Sequence, residues 1–448
     1  MKMYGKKRTL TFYQRVWVTI GILIGYRLLS HIPLPFVNAQ YVQAMIETNG
    51  SLNMLNTLTG GNLESMSVVA LGITPYITAS IVLQLFGVCF PRLAQLQKEG
   101  STGQKKMKRI TTVVAVLLGG VQSIGMMVGY GSRGMLSSYA WYTILIPTVI
   151  LIAGVFLLSF LGQYITDHLF GNGISLILTV GIVCSYPGDA SDLFSALTGA
   201  DALIWKIVFA VLGVLAIVAL FGFSVWLMYC EKRIHITYNG KLAMDGPAAR
   251  QESVIPLKLV GGSVVPVIFA SSILTIPGLI QSFFGTDIAW LHVFNTNYWL
   301  FPEEPWASLG MVLYFAMIIG FSYYYQALNL NEKDLAQQLK KQGGVIEGVR
   351  PGRPTELYLH RQMRYLTLLG GLGLCVIAFV PIVVSATLNL GKLSFLGTSI
   401  IITVSVLMET GKKFLAERKG LSYRDADSFL GIQRPALLLK NTKKGVRR

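Results

Sequence analysis

Charge is scarce in this chain. Asp, Glu, Lys and Arg together supply 13% of its 448 residues, while 53% are hydrophobic. Soluble domains carry about twice that charged share. A soluble core cannot absorb so much apolar residue, because a sphere of this size still needs a polar surface, so an ordinary soluble architecture is excluded. Cysteine is also sparse. Cys89, Cys184, Cys230 and Cys375 stand far apart, which excludes a disulfide framework or a zinc-type spacing and fits thiols packed among apolar helices. Phosphate-loop chemistry is absent too. The Gly-Lys pairs at 5–6, 240–241, 391–392 and 411–412 lack the following Ser or Thr and the upstream spacing, and no H-E-x-x-H occurs. No catalytic dyad, metal site or cofactor site is expected.

What the chain does have is long apolar stretches. A spanning helix needs about 20 mostly apolar residues. Ten candidates run over 16–34, 68–88, 110–130, 142–161, 174–185, 203–228, 263–283, 307–326, 366–385 and 395–412. The fifth is short and should borrow flanking residues after Gly171-Asn172-Gly173. The first follows Lys6, Lys7 and Arg8 but is too long for a signal-peptide core and lacks a small-residue cleavage site, so it reads as a retained helix. The expected class is therefore all-α: a polytopic membrane protein of ten helices, dividing into two inverted halves of five.

The net charge of +17 suits nucleic acid, anionic lipid or a cytoplasmic face built by the positive-inside rule, and placement decides among them. With the N-terminus inside, all but four of the 38 Lys and Arg fall on the cytoplasmic side; the exceptions are Arg27, Arg133, Lys206 and Lys392. Outer loops carry Glu47, Glu64, Asp189, Asp192, Asp201, Asp287, Glu303 and Glu304. The basic balance follows from topology. It places the chain in a cytoplasmic membrane with both termini inside, and the basic face would also suit ribosomal RNA or an acidic patch on a motor. Arg27 is the one mid-span charge in this reading. Glu409 lies near a helix end and Asp167 at a boundary, whereas proton- or sodium-coupled transporters place carboxylates near the bilayer centre. The chain reads as a passive conduit, not an enzyme, with energy supplied from elsewhere.

The segment 35–67 is long for a connection, and its 52–66 portion is weakly amphipathic with a Gly60-Gly61 break. It is either an external loop packed on the rim or an element folded back into a cavity. In the second stretch, Gly72 and Pro75 predict a kinked or broken helix. Thr74, Thr78, Ser80 and Gln84 there, and Pro266, Ser271, Ser272 and Thr275 in the seventh, are either small-residue packing or a seam that opens. Between the sixth and seventh stretches, Arg233-Ile234-His235-Ile236-Thr237-Tyr238 runs into Asn239-Gly240-Lys241, a hairpin signal. After the eighth, 332–342 predicts a helix capped by Asn331 and stopped at Gly343 or Gly344, followed by the stiff turn Val349-Arg350-Pro351-Gly352-Arg353-Pro354. Such a turn is either a solvated face or a docking point.

Four segments, in order, resemble the SecY family of bacterial protein-translocase channels. They are 70–85, Gly171-Asn172-Gly173-Ile174-Ser175, Ile255-Pro256-Leu257-Lys258 with Val265-Pro266-Val267-Ile268-Phe269-Ala270-Ser271-Ser272, and Gly348-Val349-Arg350-Pro351-Gly352. With the ten stretches, the resemblance covers nearly the whole chain. It implies an hourglass channel that passes unfolded preproteins and releases membrane segments sideways. A pore ring would fall on Ile73, Ile77, Leu178, Ile182, Ile268 and Ile402. A plug would span about 55–66, including Leu55, Leu58, Gly60, Gly61, Asn62, Leu63 and Met66. A lateral gate would use Thr78, Ser80, Gln84, Ser271, Ser272 and Thr275. Motor or ribosome docking would involve Arg233, Lys241, Lys340, Lys341, Arg350 and Arg353.

The implied partners are SecE and SecG subunits, the SecA motor or the ribosome, signal-bearing preproteins and lipid. The implied divisions are 1–15, 16–190, 191–412 with loops near 229–262 and 327–365, and a basic tail at 413–448. Cys230-Glu231-Lys232 and the segment 408–414 depart from the family pattern, leaving a housekeeping channel and an accessory paralogue both open. A small-solute transporter and a ribosome-recruiting receptor are the other two classes.

Overall fold

The computed structural model describes residues 11–48, 50–132, 134, 136, 140–197, 203–238, 251–260, 264–284, 293–294, 299, 305–329, 332–388 and 396–429. In chain order these form α1 (Phe12–Leu29), α2 (Ala39–Thr48), α3 (Gly50–Thr59), α4 (Thr74–Cys89), α5 (Pro91–Lys98), α6 (Gly100–Ser132), α7 (Trp141–His168), α8 (Gly173–Leu197) and α9 (Leu203–Tyr229). Strands β1 (Glu231–Tyr238) and β2 (Gln251–Lys258) follow, then α10 (Val265–Phe284), α11 (Leu309–Asn329), α12 (Glu332–Gln342), β3 (Gly344–Ile346), α13 (Arg353–Leu388) and α14 (Leu396–Phe429). The chain divides into two units, Met1–Ser405 and Val406–Arg448. In the second, Lys413 and Glu409 pair one helical turn apart at 2.9 Å.

Each of the ten apolar stretches carries one long helix: α1, α4, α6 to α11, α13 and α14. Among the described residues, Thr102–Gly131, Trp141–His168 and Arg353–Val384 are long and apolar enough to cross a membrane, and so is the helix that begins at Leu309. Their exposed faces are apolar. Val113, Leu117 and Val121 form an exposed stripe at four-residue spacing along α6, while Ala115, Gly119 and Ser123 are buried. In water such a stripe is costly; in lipid it is solvated, as a membrane span requires. Glycine allows close helix approach. A Cβ on Gly173 would fall 2.2 Å from the Gly162 carbonyl oxygen, and one on Gly154 would fall 2.4 Å from that of Val68. The Gly171-Asn172-Gly173 motif thus starts α8 hard against α7, and α8 runs well past 185 to Leu197.

Several helix ends differ from expectation. Of the two expectations for Gly72 and Pro75 the break holds and the kink does not: Pro75 sits in the first turn of α4, where its missing N–H costs nothing. The residues before it form turns, with Gly72 at φ +56°. Arg27 is not mid-span. α1 ends at Leu29, so Arg27 occupies its last turn, where the carbonyl end of the helix dipole favours a cation. Helix α12 forms as expected, with Glu332 and Asp334 in its first turn, Lys340 and Lys341 in its last, and Gly343 beyond it at φ +71°. The proposed cap Asn331 lies outside the described residues.

The largely helical chain also holds a three-stranded antiparallel sheet in the order β2-β1-β3. Tyr238 pairs with Gln251, so β1 and β2 are an antiparallel pair; the Asn239-Gly240 signal lies outside the described residues. The observed register lets Ile234, Ile236 and Leu257 share a core with Leu339, Ile346, Leu359 and Met363. Leu359 is fully buried there. Leu359→Ala should destabilise this module by about 2–5 kcal/mol. Faster amide exchange across β1 and α12 would register it; unchanged exchange would show that the cluster does not hold the module together.

Candidate functional site: an internal segment seated among helices

The segment 50–66 is not an external loop. Leu52, Leu55, Leu58, Asn62, Leu63 and Met66 are all buried, and α3 lies against α10, α8 and, less extensively, α4. Those three helices carry the expected ring residues Leu178 and Ile182 (α8), Ile268 (α10) and Ile77 (α4). Ile73 sits at the N-cap of α4. Ile73, Leu178, Ile182, Ile268 and Ile402 are buried and Ile77 is half-buried. Ile402 stands on α14 beside Thr403, whose hydroxyl lies 2.8 Å from the Tyr186 hydroxyl of α8. Branched aliphatic side chains therefore come from four helices.

The turn after α3 is built for close contact. Gly60 and Gly61 adopt φ of +74° and +79°, a region that glycine enters without strain. A Cβ on Gly60 would fall 2.3 Å from the Gly181 Cα of α8. Asn56 closes the segment on itself: its Nδ2 donates to Glu64 Oε2 at 3.2 Å and its Oδ1 accepts from the Glu64 N–H at 3.0 Å. Tyr26 and Arg27 of α1 also reach the segment. Asn62 Nδ2 donates to the Tyr26 hydroxyl at 2.8 Å, and Arg27 donates to the Gly60 carbonyl at 3.4 Å.

Most seam residues satisfy their polar groups within their own helices. Thr78 donates to the Thr74 carbonyl, Gln84 to the Ser80 hydroxyl, Ser271 to the Ile268 carbonyl and Thr275 to the Ser271 carbonyl. The hydroxyls of Ser272 and Thr74 are buried without a hydrogen-bond partner among the described residues. α10 packs mainly on α11, α3 and α6, and touches α4 lightly. Separating α4 from α10 therefore breaks few polar contacts. Among the described residues, one hydrogen bond to α4 comes from an unforeseen residue, Tyr324 of α11, whose hydroxyl donates to the Gln84 carbonyl at 3.0 Å. A tyrosine in an apolar helix gives no sequence signal for that partner.

Of the docking residues, Arg233, Lys340, Lys341, Arg350 and Arg353 are exposed, and Lys241 lies outside the described residues. Arg233 pairs with Glu231 at 3.0 Å. Arg350 stands between Gly348 and Gly352, both at positive φ, and its carbonyl accepts from the Thr355 hydroxyl at 2.9 Å.

These features define a polytopic helical membrane protein whose helices surround a segment of its own chain. Residues 67–411 match the SecY family. The chain is 35% identical over 418 residues to the protein translocase subunit SecY of Bacillus subtilis, covering 92% of this chain and 95% of that one. The chain belongs to the SecY family. Its fold is also that of a SecY whose plug domain stabilises the closed state of the translocation channel and maintains a membrane seal (TM-score 0.63, 17% identity, 92% of this chain and 94% of that chain). It likewise matches Sec61 in a canine ribosome-channel complex from the endoplasmic reticulum (TM-score 0.61, 17% identity, the same coverage).

Proposed function

We propose that this chain is the protein-conducting subunit of a bacterial translocase, with 55–66 as its plug. The observation that carries the reading is the seating of a polar-capped, glycine-turned segment between α8 and α10, where a translocating chain would have to pass. Ile73, Ile77, Leu178, Ile182, Ile268 and Ile402 form the ring. Their branched apolar side chains make a deformable gasket around an extended polypeptide and oppose ion passage by dewetting. The lightly joined α4 and α10 are the lateral gate, with Thr78, Ser80, Gln84, Ser271, Ser272 and Thr275 at its seam. A signal helix inserted there reaches lipid at little polar cost. SecE- and SecG-type subunits complete the assembly in the cytoplasmic membrane, with both termini inside. The two inverted halves run over 16–190 and 191–412, with 1–15 and 413–448 as basic flanks.

The sheet module and the Arg350 turn form the docking face for a SecA-type motor or a ribosome. Arg350 is exposed on a turn stiffened by Pro351 and Pro354, so its charge is presented in one place. Arg350→Glu should lower export about tenfold, the scale of 1.4 kcal/mol lost at one docking contact, and leave accumulation in the membrane unchanged. Wild-type export by this variant would remove Arg350 from the docking face. The decisive experiment reconstitutes the chain with SecE- and SecA-type partners and ATP, then asks whether a signal-bearing preprotein becomes protected from protease. Protection supports the channel reading. Failure with both a motor and ribosomes, from a correctly folded chain, would overturn it.

A further inference from the structure

The channel reading gives Tyr26 and Arg27 no role, yet both turn inward to one place. Tyr26 is 2% exposed and Asn62 is 1% exposed. The Asn62 amide donates to the Tyr26 hydroxyl at 2.8 Å and to the Thr59 carbonyl at 2.6 Å. The neighbouring Arg27 donates to the Gly60 carbonyl at 3.4 Å. The Tyr26 hydroxyl also lies beside the seat itself, 3.2 Å from where a Cβ on Gly181 would stand. The chain leaving α1 continues the attachment. The Ser65 hydroxyl donates to the Ser30 carbonyl at 3.3 Å. The Leu34 N–H donates to the Met66 carbonyl at 2.8 Å and the Val68 N–H to the Ile32 carbonyl at 3.0 Å.

These links differ in kind from the apolar contacts that the whole segment makes. Leu52 and Leu55 are held in an apolar cluster with Val42 and Ile46, which Leu63 and Met66 also join. Apolar contact is non-directional and can slide. A hydrogen bond between buried groups is directional, and breaking it leaves a desolvated donor unless water follows. Such an attachment holds in one position and releases as a unit. Asn62 Oδ1 is buried with no hydrogen-bond partner among the described residues, a cost that works against seating.

We propose that the end of α1 is the mooring of the plug, with Tyr26 and Arg27 as positioning residues for its closed state. The inference rests on reading 55–66 as the plug. Release of 60–66 then requires the Tyr26–Asn62 and Arg27–Gly60 links to break together, so whatever shifts α1 relative to α8 unseats the plug.

The test uses the full chain with its SecE-type partner in planar bilayers, reading resting ion conductance. Tyr26→Phe keeps the ring and removes the hydroxyl; it should raise conductance about 5- to 10-fold. Asn62→Ala breaks the same bond from the other side and should give a similar rise, and the double variant should leak no more than either alone. A chain with 57–66 deleted is the reference. If that deletion leaves conductance at the wild-type level, the plug reading fails and the mooring with it. If the deletion leaks while Tyr26→Phe and Asn62→Ala do not, the plug stands and the mooring is wrong. Tyr26→Phe should add nothing to the deleted chain; a further rise there would place Tyr26 in the pore wall and overturn the proposal. Should Tyr26→Phe fail to accumulate, Asn62→Ala decides alone.

Discussion

Gly60→Val is expected to unseat the plug almost completely. Two costs combine at this residue. A Cβ would stand 2.3 Å from the Gly181 Cα and 2.5 Å from its carbonyl carbon, and both are backbone atoms that cannot swing aside. Overpacking of this kind costs about 1–3 kcal/mol. The φ of +74° adds about 1–2 kcal/mol for a residue with a side chain, and a β-branched one is worse placed than most. At 1.4 kcal/mol per tenfold, the seated-to-unseated ratio should fall by roughly 30- to several-thousandfold. Planar-bilayer conductance should rise to the level of a chain without the plug, and preproteins with weakened signal helices should be exported better. Gly61→Ala provides the graded comparison. Its φ is similar, but its Cβ would meet only the Ser185 hydroxyl, at 3.3 Å. A smaller leak from Gly61→Ala than from Gly60→Ala is the expected order. Wild-type conductance from a folded Gly60→Val chain would show that the glycine contact does not hold the seal.

The second large effect should come from the ring. Ile77→Ser combined with Ile268→Ser replaces two branched aliphatic side chains with hydroxyls. The pore lining then attracts water instead of excluding it. The seal should fail where the gasket closes on a translocating chain, so the leak during active export should rise more than the resting leak. Gly60→Val should give the opposite pattern, because its defect lies in the plug. Measuring conductance with and without an arrested preprotein separates the two. Both substitutions forfeit burial worth about 1.5–3 kcal/mol per side chain, so accumulation of the folded chain must be measured alongside. A folded double variant that seals as tightly as wild type in both conditions would remove Ile77 and Ile268 from the ring.

The sequence carried a large share of this protein by itself. Ten helices follow from ten apolar stretches, because in lipid a backbone must satisfy its hydrogen bonds internally and a helix does so locally. The α12 helix and its stop at Gly343 were legible for the same reason: dipole-matched charges and a glycine that enters positive φ act within one turn. The SecY resemblance was legible too, since its motifs are contiguous.

Tertiary structure decided what depends on distant residues. Burial placed 50–66 inside the bundle, although its weak amphipathicity fitted a rim loop equally well. Packing set the register that pairs Tyr238 with Gln251 and puts Ile236 and Leu257 in one core. Pro75 could kink a helix or begin one, and the turns before it, set by long-range contacts such as Val68 with Gly154, selected the second. Arg27 stood out as a charge in an apolar stretch, but its partner did not, and Tyr26 and Tyr324 had no sequence signature, because each partner is a backbone carbonyl or a lone amide 33 or more residues away. Local periodicity reports which face of a helix meets lipid; it holds no information about which atom waits on the facing chain.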